Sequence, residues 1–492
     1  MTVTRTLAIA ALTMALSSMP SFSQDQGGPA STPGIFSLVP PDSVTHHSLR
    51  VGPQTLPYAA TAGTLDLFRQ NGERSAKLFY TAYVAEDRTT DRPVTFVFNG
   101  GPGAASAYLH LGLVGPRILE FNTNNGTRPS LRDNPDSWLV FTDVVLVDPV
   151  GTGWSRASDG DGKDFYGVRQ DAESIAKFIT LYIQKNGRLP SRKYLVGESY
   201  GGFRAAKVAS ALKDTQGILV SGIVMVSPMI EGRFLWTADN PLAEALRLPS
   251  LAAAELERKQ AFDPTLVKEA ERFAMSDYLV ALAGPPLLAE TSQAFYARIA
   301  ALTGIPLRQV SRTQGFIGDI YAKLSGGEGR IVSPYDAGVS SADAYPESLI
   351  GRNDDPILDG YTRAYGAAFA AYAREELGFK TEMTYTLLNN DVNRKWEWNG
   401  GRDGDGRAAA TASTDIRDLL SVIPQFRTLV AHGYSDTLTP YGFSRYVLDH
   451  LPQSLSNDRV SLALYEGGHM FYTRATSRAA FSKDVGNFFQ RP

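Results

Sequence analysis

The stretch Tyr194-Leu-Val-Gly197-Glu198-Ser199-Tyr200-Gly201-Gly202-Phe203 decides the reading of the whole chain. A short run of strand character enters a Gly-Glu-Ser-Tyr-Gly turn. Phe203-Arg-Ala-Ala-Lys-Val-Ala-Ser-Ala-Leu212 leaves it with helical composition. A G-x-S-x-G turn between a strand and a helix lifts the serine hydroxyl above the sheet, because its flanking glycines let backbones pass where side chains would collide. The pattern alone recurs by chance, and an ordinary glycine-rich turn is the competing reading. The strand before it and the helix after it are the context it requires.

Outward from this turn, short apolar runs repeat, each ending in polar or glycine residues. Val94-Thr-Phe-Val-Phe98 runs into Asn99-Gly100-Gly101, and Val144-Val-Leu-Val147 into Asp148-Pro-Val-Gly151. Ile223-Val-Met-Val226, Thr428-Leu-Val-Ala431 and Val460-Ser-Leu-Ala-Leu-Tyr465 end in the same way. Continuous apolar strands predict a sheet buried on both faces, hence mostly parallel with helical crossovers. Gln170–Ile183 is one such helix, with Ile175, Phe178, Ile179 and Tyr182 on one face. Ser75–Val84 has the composition of a further strand. Residues 231–415 break the rhythm with helical patterns and Gly, Asp and Pro loops. They read as a largely helical cap inserted between two parts of one core, 24–230 and 416–492. Strand signals begin near residue 65, and residues 24–45, rich in Gly, Pro and Ser, read as a mobile segment.

A serine needs a base, and the base needs a carboxylate to orient it. Of six histidines, His469 lies in a loop just after a strand near the C-terminus. His450 sits at a helix end, His46 and His47 lie near the start, and His432 falls close before the candidate acid. Asp436, in Gly433-Tyr-Ser-Asp436, directly follows a strand; a helix-capping turn is its alternative role. The order Ser199, Asp436, His469 is that of an α/β-hydrolase. Two backbone donors must hold the oxyanion, and the amides of Tyr200 and Gly101 are the candidates. The glycine loop around Gly101 is not a phosphate cradle, since neither Gly-Lys-Ser/Thr nor G-x-G-x-x-G follows.

Composition narrows the classes further. Apolar residues make up 43% and charged residues 20% of 492, with a formal net charge of −3 and no basic bias of the kind nucleic acid attracts. There is no cysteine, so disulfides, thiolate metal sites and cysteine nucleophiles are excluded. The Asp159-Gly-Asp161 and Asp403-Gly-Asp405 turns do not fit a calcium loop, and no metal or other cofactor is expected. Arg5, the apolar run Leu7–Leu16 and Ser21-Phe-Ser23 have the order of an export signal over residues 1–23. A periplasmic or secreted protein with no membrane span after cleavage is therefore expected.

Taken together, these motifs resemble the serine carboxypeptidase family. Asn99-Gly-Gly-Pro-Gly103, Asp148-Pro-Val-Gly-Thr-Gly-Trp-Ser155, Gly197-Glu-Ser-Tyr-Gly-Gly202, Asp436 and Gly468-His469-Met470 occur in family order, with Lys395-Trp-Glu-Trp398 a weaker match. The lack of cysteine fits an exported bacterial type. The resemblance implies release of C-terminal residues from peptides through an acyl-enzyme. It also implies that Asn99, Gly100 and Glu198 bind the substrate's α-carboxylate. Glu198 as a structural residue of the elbow is the alternative. The family's second glutamate falls on Leu113, and its usual Cys-Ser on Ala104-Ala105. A serine esterase or acyltransferase remains the second reading, and a non-catalytic binding protein the third.

Overall fold

The computed structural model describes residues 34–86, 91–121, 129–237, 239–348, 355–398 and 406–490. The export-signal stretch and the Asp403–Asp405 turn lie outside these residues. The strands, in chain order, are β1 (Ser43–Val51), β2 (Gln54–Phe68), β3 (Arg74–Ala85), β4 (Val94–Phe98), β5 (Arg117–Phe121), β6 (Pro129–Asp133) and β7 (Asp143–Val147). They continue with β8 (Arg156–Ala157), β9 (Lys193–Glu198), β10 (Gly222–Val226), β11 (Arg330–Val332), β12 (Ser340–Ala342), β13 (Arg427–Gly433) and β14 (Val460–Tyr465).

Ten of them form one sheet in the order β1-β2-β3-β7-β4-β9-β10-β13-β14, with β8 paired to β3. From β7 to β14 every pairing is parallel, and the β1-β2-β3 edge is antiparallel. Strands β4, β7, β9 and β10 are buried along their whole length. Phe96, Val145, Leu195, Ile223 and Val430 pack in one apolar cluster with the helices Val168–Lys185, Tyr200–Ala211 and Ser413–Val422. Their neighbours Val97, Leu146, Val196, Val224 and Leu429 pack in another with Pro356–Glu375 and Ala475–Gln490. The alternation along each strand sends consecutive side chains into the two layers, which is why these strands read as unbroken apolar runs.

The antiparallel edge begins earlier than the sequence suggests. β1 starts at Ser43, inside the segment expected to be mobile, and β2 begins at Gln54, well before residue 65. β1 alternates half-buried with exposed positions, β2 largely buried with half-buried ones, and β2 carries Pro57 and Gly63, so their strand signal is diluted by polar and turn residues.

Between β10 and β13 the chain is mainly helical. Helices Pro241–Arg258, Pro264–Phe273 and Pro356–Glu375 each follow an Asx-Pro pair, with Asn240, Asp263 and Asp355 accepting hydrogen bonds from first-turn amides. Residues 245–337 build their own apolar cluster around Leu248, Phe273, Tyr278, Ile299 and Tyr321. The later helix Pro356–Glu375 instead packs Tyr365, Phe369 and Tyr372 against the main sheet. Among the described residues no helix is long and apolar enough to cross a membrane.

Candidate active site

Ser199 sits between β9 and the helix Tyr200–Ala211 at φ 61°, ψ −126°, a conformation a non-glycine residue adopts only under strain. Two glycines make the turn possible. A Cβ on Gly197 would stand 1.8 Å from the Gly201 carbonyl oxygen, and one on Gly201 would stand 2.6 Å from that of Phe98. The turn is pinned to β10, since the Ser199 amide donates to Val226 O at 2.9 Å and Met229 N donates to Ser199 O at 3.2 Å.

His469 lies in the loop after β14, and Asp436 in the turn after β13. His469 Nδ1 is 2.9 Å from Asp436 Oδ2, and both side chains are buried. Asp436 is fixed by the amides of Leu438 and Thr439, each at 2.9 Å, and by the Thr439 hydroxyl at 2.8 Å. Burial alone would raise its pKa. The charge and hydrogen bond of His469, together with His432, hold it well below the usual carboxylate range. Burial likewise disfavours a charged His469, yet Asp436, and more weakly Glu198, raise its pKa above the ordinary value. The Tyr335 ring stands edge-on to the imidazole at 5.1 Å. With Nδ1 committed to Asp436, Nε2 is the ring nitrogen left for proton transfer. Ser199 and His469 line the same cavity of about 320 Å³. Among the described residues Ser199 Oγ makes no hydrogen bond, and its partnership with His469 rests on the cavity the two share; such hydrogen bonds often form only when substrate is bound.

The Asn99–Gly103 loop rests directly on the elbow. A Cβ on Gly100 would stand 2.6 Å from both Glu198 O and Tyr200 N. Gly101 lines the cavity. Tyr200 opens its helix, so its amide lies outside the helical ladder. The loop is propped from behind by a segment that carries no strong sequence signal. Asn389 N donates to Gly103 O, and Ala105 N to Leu387 O, both at 2.8 Å. Just beyond it, Trp396 and Trp398 pack edge-on against Tyr200, with centroids 5.4 and 5.5 Å away, and Trp398 reaches the cavity wall. The weak Lys395–Trp398 motif was the available hint.

At the same cavity Asn99 Nδ2 donates to Glu198 Oε2 at 2.5 Å, and Asn99 Oδ1 accepts from Leu109 N. The second partner of Glu198 is Tyr472, whose hydroxyl lies within hydrogen-bonding distance of both carboxylate oxygens. Burial pushes the Glu198 carboxyl up to about 7, against the opposing pull of His469, Tyr472 and Asn99. Leu113 is fully buried in the apolar core, in the same apolar cluster as Tyr472. Nothing in the spacing of the sequence marks Tyr472 as a partner of Glu198. Of the turns weighed as calcium loops, Asp161 is held by Lys163 at 2.7 Å and Lys395 at 3.0 Å.

A serine on a strained strand–helix turn, with an Asp–His pair delivered by later strands of a mostly parallel sheet, is the α/β-hydrolase arrangement, and this chain has that fold. Residues 53–237 match the serine carboxypeptidase family, Peptidase_S10. The chain is 34% identical over 160 residues to the pheromone-processing carboxypeptidase KEX1 of Yarrowia lipolytica, covering 31% of this chain and 24% of that protein. It is 26% identical over 206 residues to serine carboxypeptidase-like 5 of Arabidopsis thaliana, covering 40% and 46%. These matches therefore span less than half the length of either relative. The crystal structure of Kex1(Δ)p, a prohormone-processing carboxypeptidase from Saccharomyces cerevisiae, superposes with a TM-score of 0.54 over 92% of both chains at 14% identity, a likeness of fold.

Proposed function

We propose that this chain is a serine carboxypeptidase, which removes the C-terminal residue of a peptide through an acyl-enzyme. Ser199 Oγ attacks the scissile carbonyl carbon as its proton passes to His469 Nε2, and Asp436 holds the imidazolium so formed. The amides of Gly101 and Tyr200 donate to the oxyanion. The tetrahedral intermediate collapses, the C–N bond breaks, and the leaving amine takes the proton from His469. Water then gives a proton to His469 and attacks the acyl carbon, and Ser199 leaves with that proton restored.

The observation that carries this reading is the buried Asn99–Glu198–Tyr472 cluster beside Ser199. A carboxylate ligand needs donors. Asn99 supplies an amide, and Glu198 supplies a hydroxyl below about pH 7, where it is neutral. Gly100 lets the loop lie against the elbow so that this cluster and the nucleophile share one cavity. A serine esterase or acyltransferase is the second reading, favoured by Leu113 at the position of the family's second glutamate. Export, and a bacterial exported type, rest on the residue 1–23 pattern and on the absence of cysteine. The cap role of residues 231–415 rests on the separate apolar cluster of its first part and on Trp236 and Arg247 at the cavity wall.

The deciding assay is hydrolysis of one N-blocked dipeptide with its C-terminus free or amidated, between about pH 4 and 8. Cleavage of the free acid in strong preference to the amide is expected. Equal cleavage of both, or cleavage of simple esters alone, would overturn the carboxypeptidase reading in favour of the second.

A further inference from the structure

Among the described residues lining the Ser199 cavity, Arg247 is the one permanently cationic side chain and Glu198 the one carboxylate. They come from different elements, Glu198 from the end of β9 and Arg247 from a helix after β10. Glu198 is tied to Asn99 and Tyr472. Arg247 comes from the helix Pro241–Arg258, packs over the Phe443 ring at 6.0 Å, and through Phe443 and its stacking partner Phe234 joins the wall of Leu235 and Trp236.

Arg247 is held but not saturated. Its Nη1 donates to Glu244 Oε1 at 3.1 Å, while Glu244 Oε2 accepts from the amides of Ile317 and Gly318 at 3.2 and 3.1 Å. Backbone amides thus hold the carboxylate in place, and the carboxylate holds the guanidinium. Among the described residues Arg247 Nε is buried without a partner, and Nη2 forms no hydrogen bond. A guanidinium presents a planar fork of donors suited to a carboxylate, and one with most of that fork unused at a cavity wall is complementary to an anion. Met229, Leu235, Trp236, Trp398 and Leu438, which also line the cavity, are apolar, so a charge placed beside them loses water and depends on its partner.

We propose that Arg247 is a specificity-determining residue that selects an acidic side chain on the acyl residue, the one N-terminal to the bond cleaved. This rests on the serine-hydrolase reading, with the terminal carboxylate placed at Asn99 and Glu198. The substrate class is then peptides whose penultimate residue is aspartate or glutamate.

The test uses the intact protein and N-blocked amino-acid nitrophenyl esters with Glu, Gln or Lys as acyl residue, together with N-blocked dipeptides, free or amidated. The expected result is a kcat/KM for Glu exceeding that for Gln and Lys by about tenfold or more. That preference should vanish in Arg247→Gln, persist in Arg247→Lys, and turn toward Lys in Arg247→Glu, with thermal melts showing each variant folded. Equal rates for the three esters in the wild type, or a Glu preference that survives Arg247→Gln, overturns the proposal. Loss of the free-acid preference on dipeptides in Arg247→Gln also overturns it, since Arg247 would then read the terminal carboxylate. If esters are cleaved and dipeptides are not, the carboxypeptidase reading falls, while the ester ratios still decide the role of Arg247.

Discussion

The hydroxyl of Tyr472 sits between the two oxygens of Glu198, 3.0 Å from Oε1 and 2.9 Å from Oε2, on the short turn that follows His469. One short segment, His469 to Tyr472, therefore supplies both the candidate base and the group that steadies the candidate carboxylate-binding residue. Tyr472→Phe removes a hydrogen bond to a buried carboxyl, an interaction worth about 1–2 kcal/mol. We expect kcat/KM for a free-acid dipeptide to fall by about tenfold, mainly through KM, with a smaller fall for an ester that lacks a terminal carboxylate. Equal loss on both substrates would show that Tyr472 serves the loop as a whole.

The hydrogen bond from Tyr472 also lowers the pKa of Glu198, which burial otherwise raises. Its removal should keep the carboxyl protonated to higher pH. On the proposed reading the wild type should lose its free-acid preference near pH 7, and this midpoint should move upward in Tyr472→Phe. A profile of the free-acid to amide ratio against pH measures this, and a downward shift would contradict the arrangement.

Glu198→Gln makes a separate prediction with the opposite sign. As the proposed base, His469 works only when neutral, so turnover should fall as pH drops through its pKa. That pKa stands above the ordinary histidine value because of Asp436 and, in smaller part, Glu198. Removing the Glu198 charge lowers it, and the acid limb of ester hydrolysis should move to lower pH. The free-acid preference should at the same time become independent of pH near 7, because the glutamine does not titrate.

Asp436 is flanked by two histidines, with Oδ2 2.9 Å from His469 Nδ1 and 3.9 Å from His432 Nδ1. The ring of His432 is anchored on its other side by Ser444 at 2.8 Å, and burial lowers its pKa, so it stands beside the acid as a neutral neighbour. Asp436→Asn should cut kcat by about 10³- to 10⁴-fold with KM little changed, by analogy with the loss of the same group in other triads. His432→Ala should cost far less, about tenfold or below, because it acts only on the carboxylate. A comparable collapse in both variants would mean that His432 takes part in proton transfer itself.

The legible parts of the sequence were those governed by local rules. Buried parallel strands show as apolar runs, and Gly197 and Gly201 show because no side chain fits where Gly201 O and Phe98 O stand. Asp436 and His469 could be read from their places after strands, since chain order and strand ends fix where such side chains emerge. What depends on distant contacts was not legible. Tyr472 meets Glu198 across 274 positions, and Asn389 meets Gly103 from beyond most of the helical block in the chain. β1 and the first half of β2 escaped because antiparallel strands with one partly wet face carry a diluted apolar pattern. Arg247 lies in an unremarkable amphipathic helix, and only the packing of that helix turns it toward the cavity.

Asp148 offers a test of stability independent of activity. It directly follows β7, is fully buried, and takes hydrogen bonds at Oδ1 from the Ser106 amide and hydroxyl, both at 2.8 Å. Its Oδ2 has no partner among the described residues. Burial pushes its pKa up to about 6, with the Ser106 bonds pulling the other way. The sign follows from linkage. Below the unfolded value of 3.8 the group is neutral in both states and costs nothing; the cost of ionising it in the fold grows as pH rises and is complete above about 6. At two units the cost is at most about 3 kcal/mol. Asp148→Asn cannot ionise, so the wild type should lose stability relative to this variant between pH 4 and 7, whatever the absolute cost of the substitution. Denaturant melts of both proteins at the two pH values measure the difference, and parallel curves would mean that Asp148 ionises in the fold without penalty.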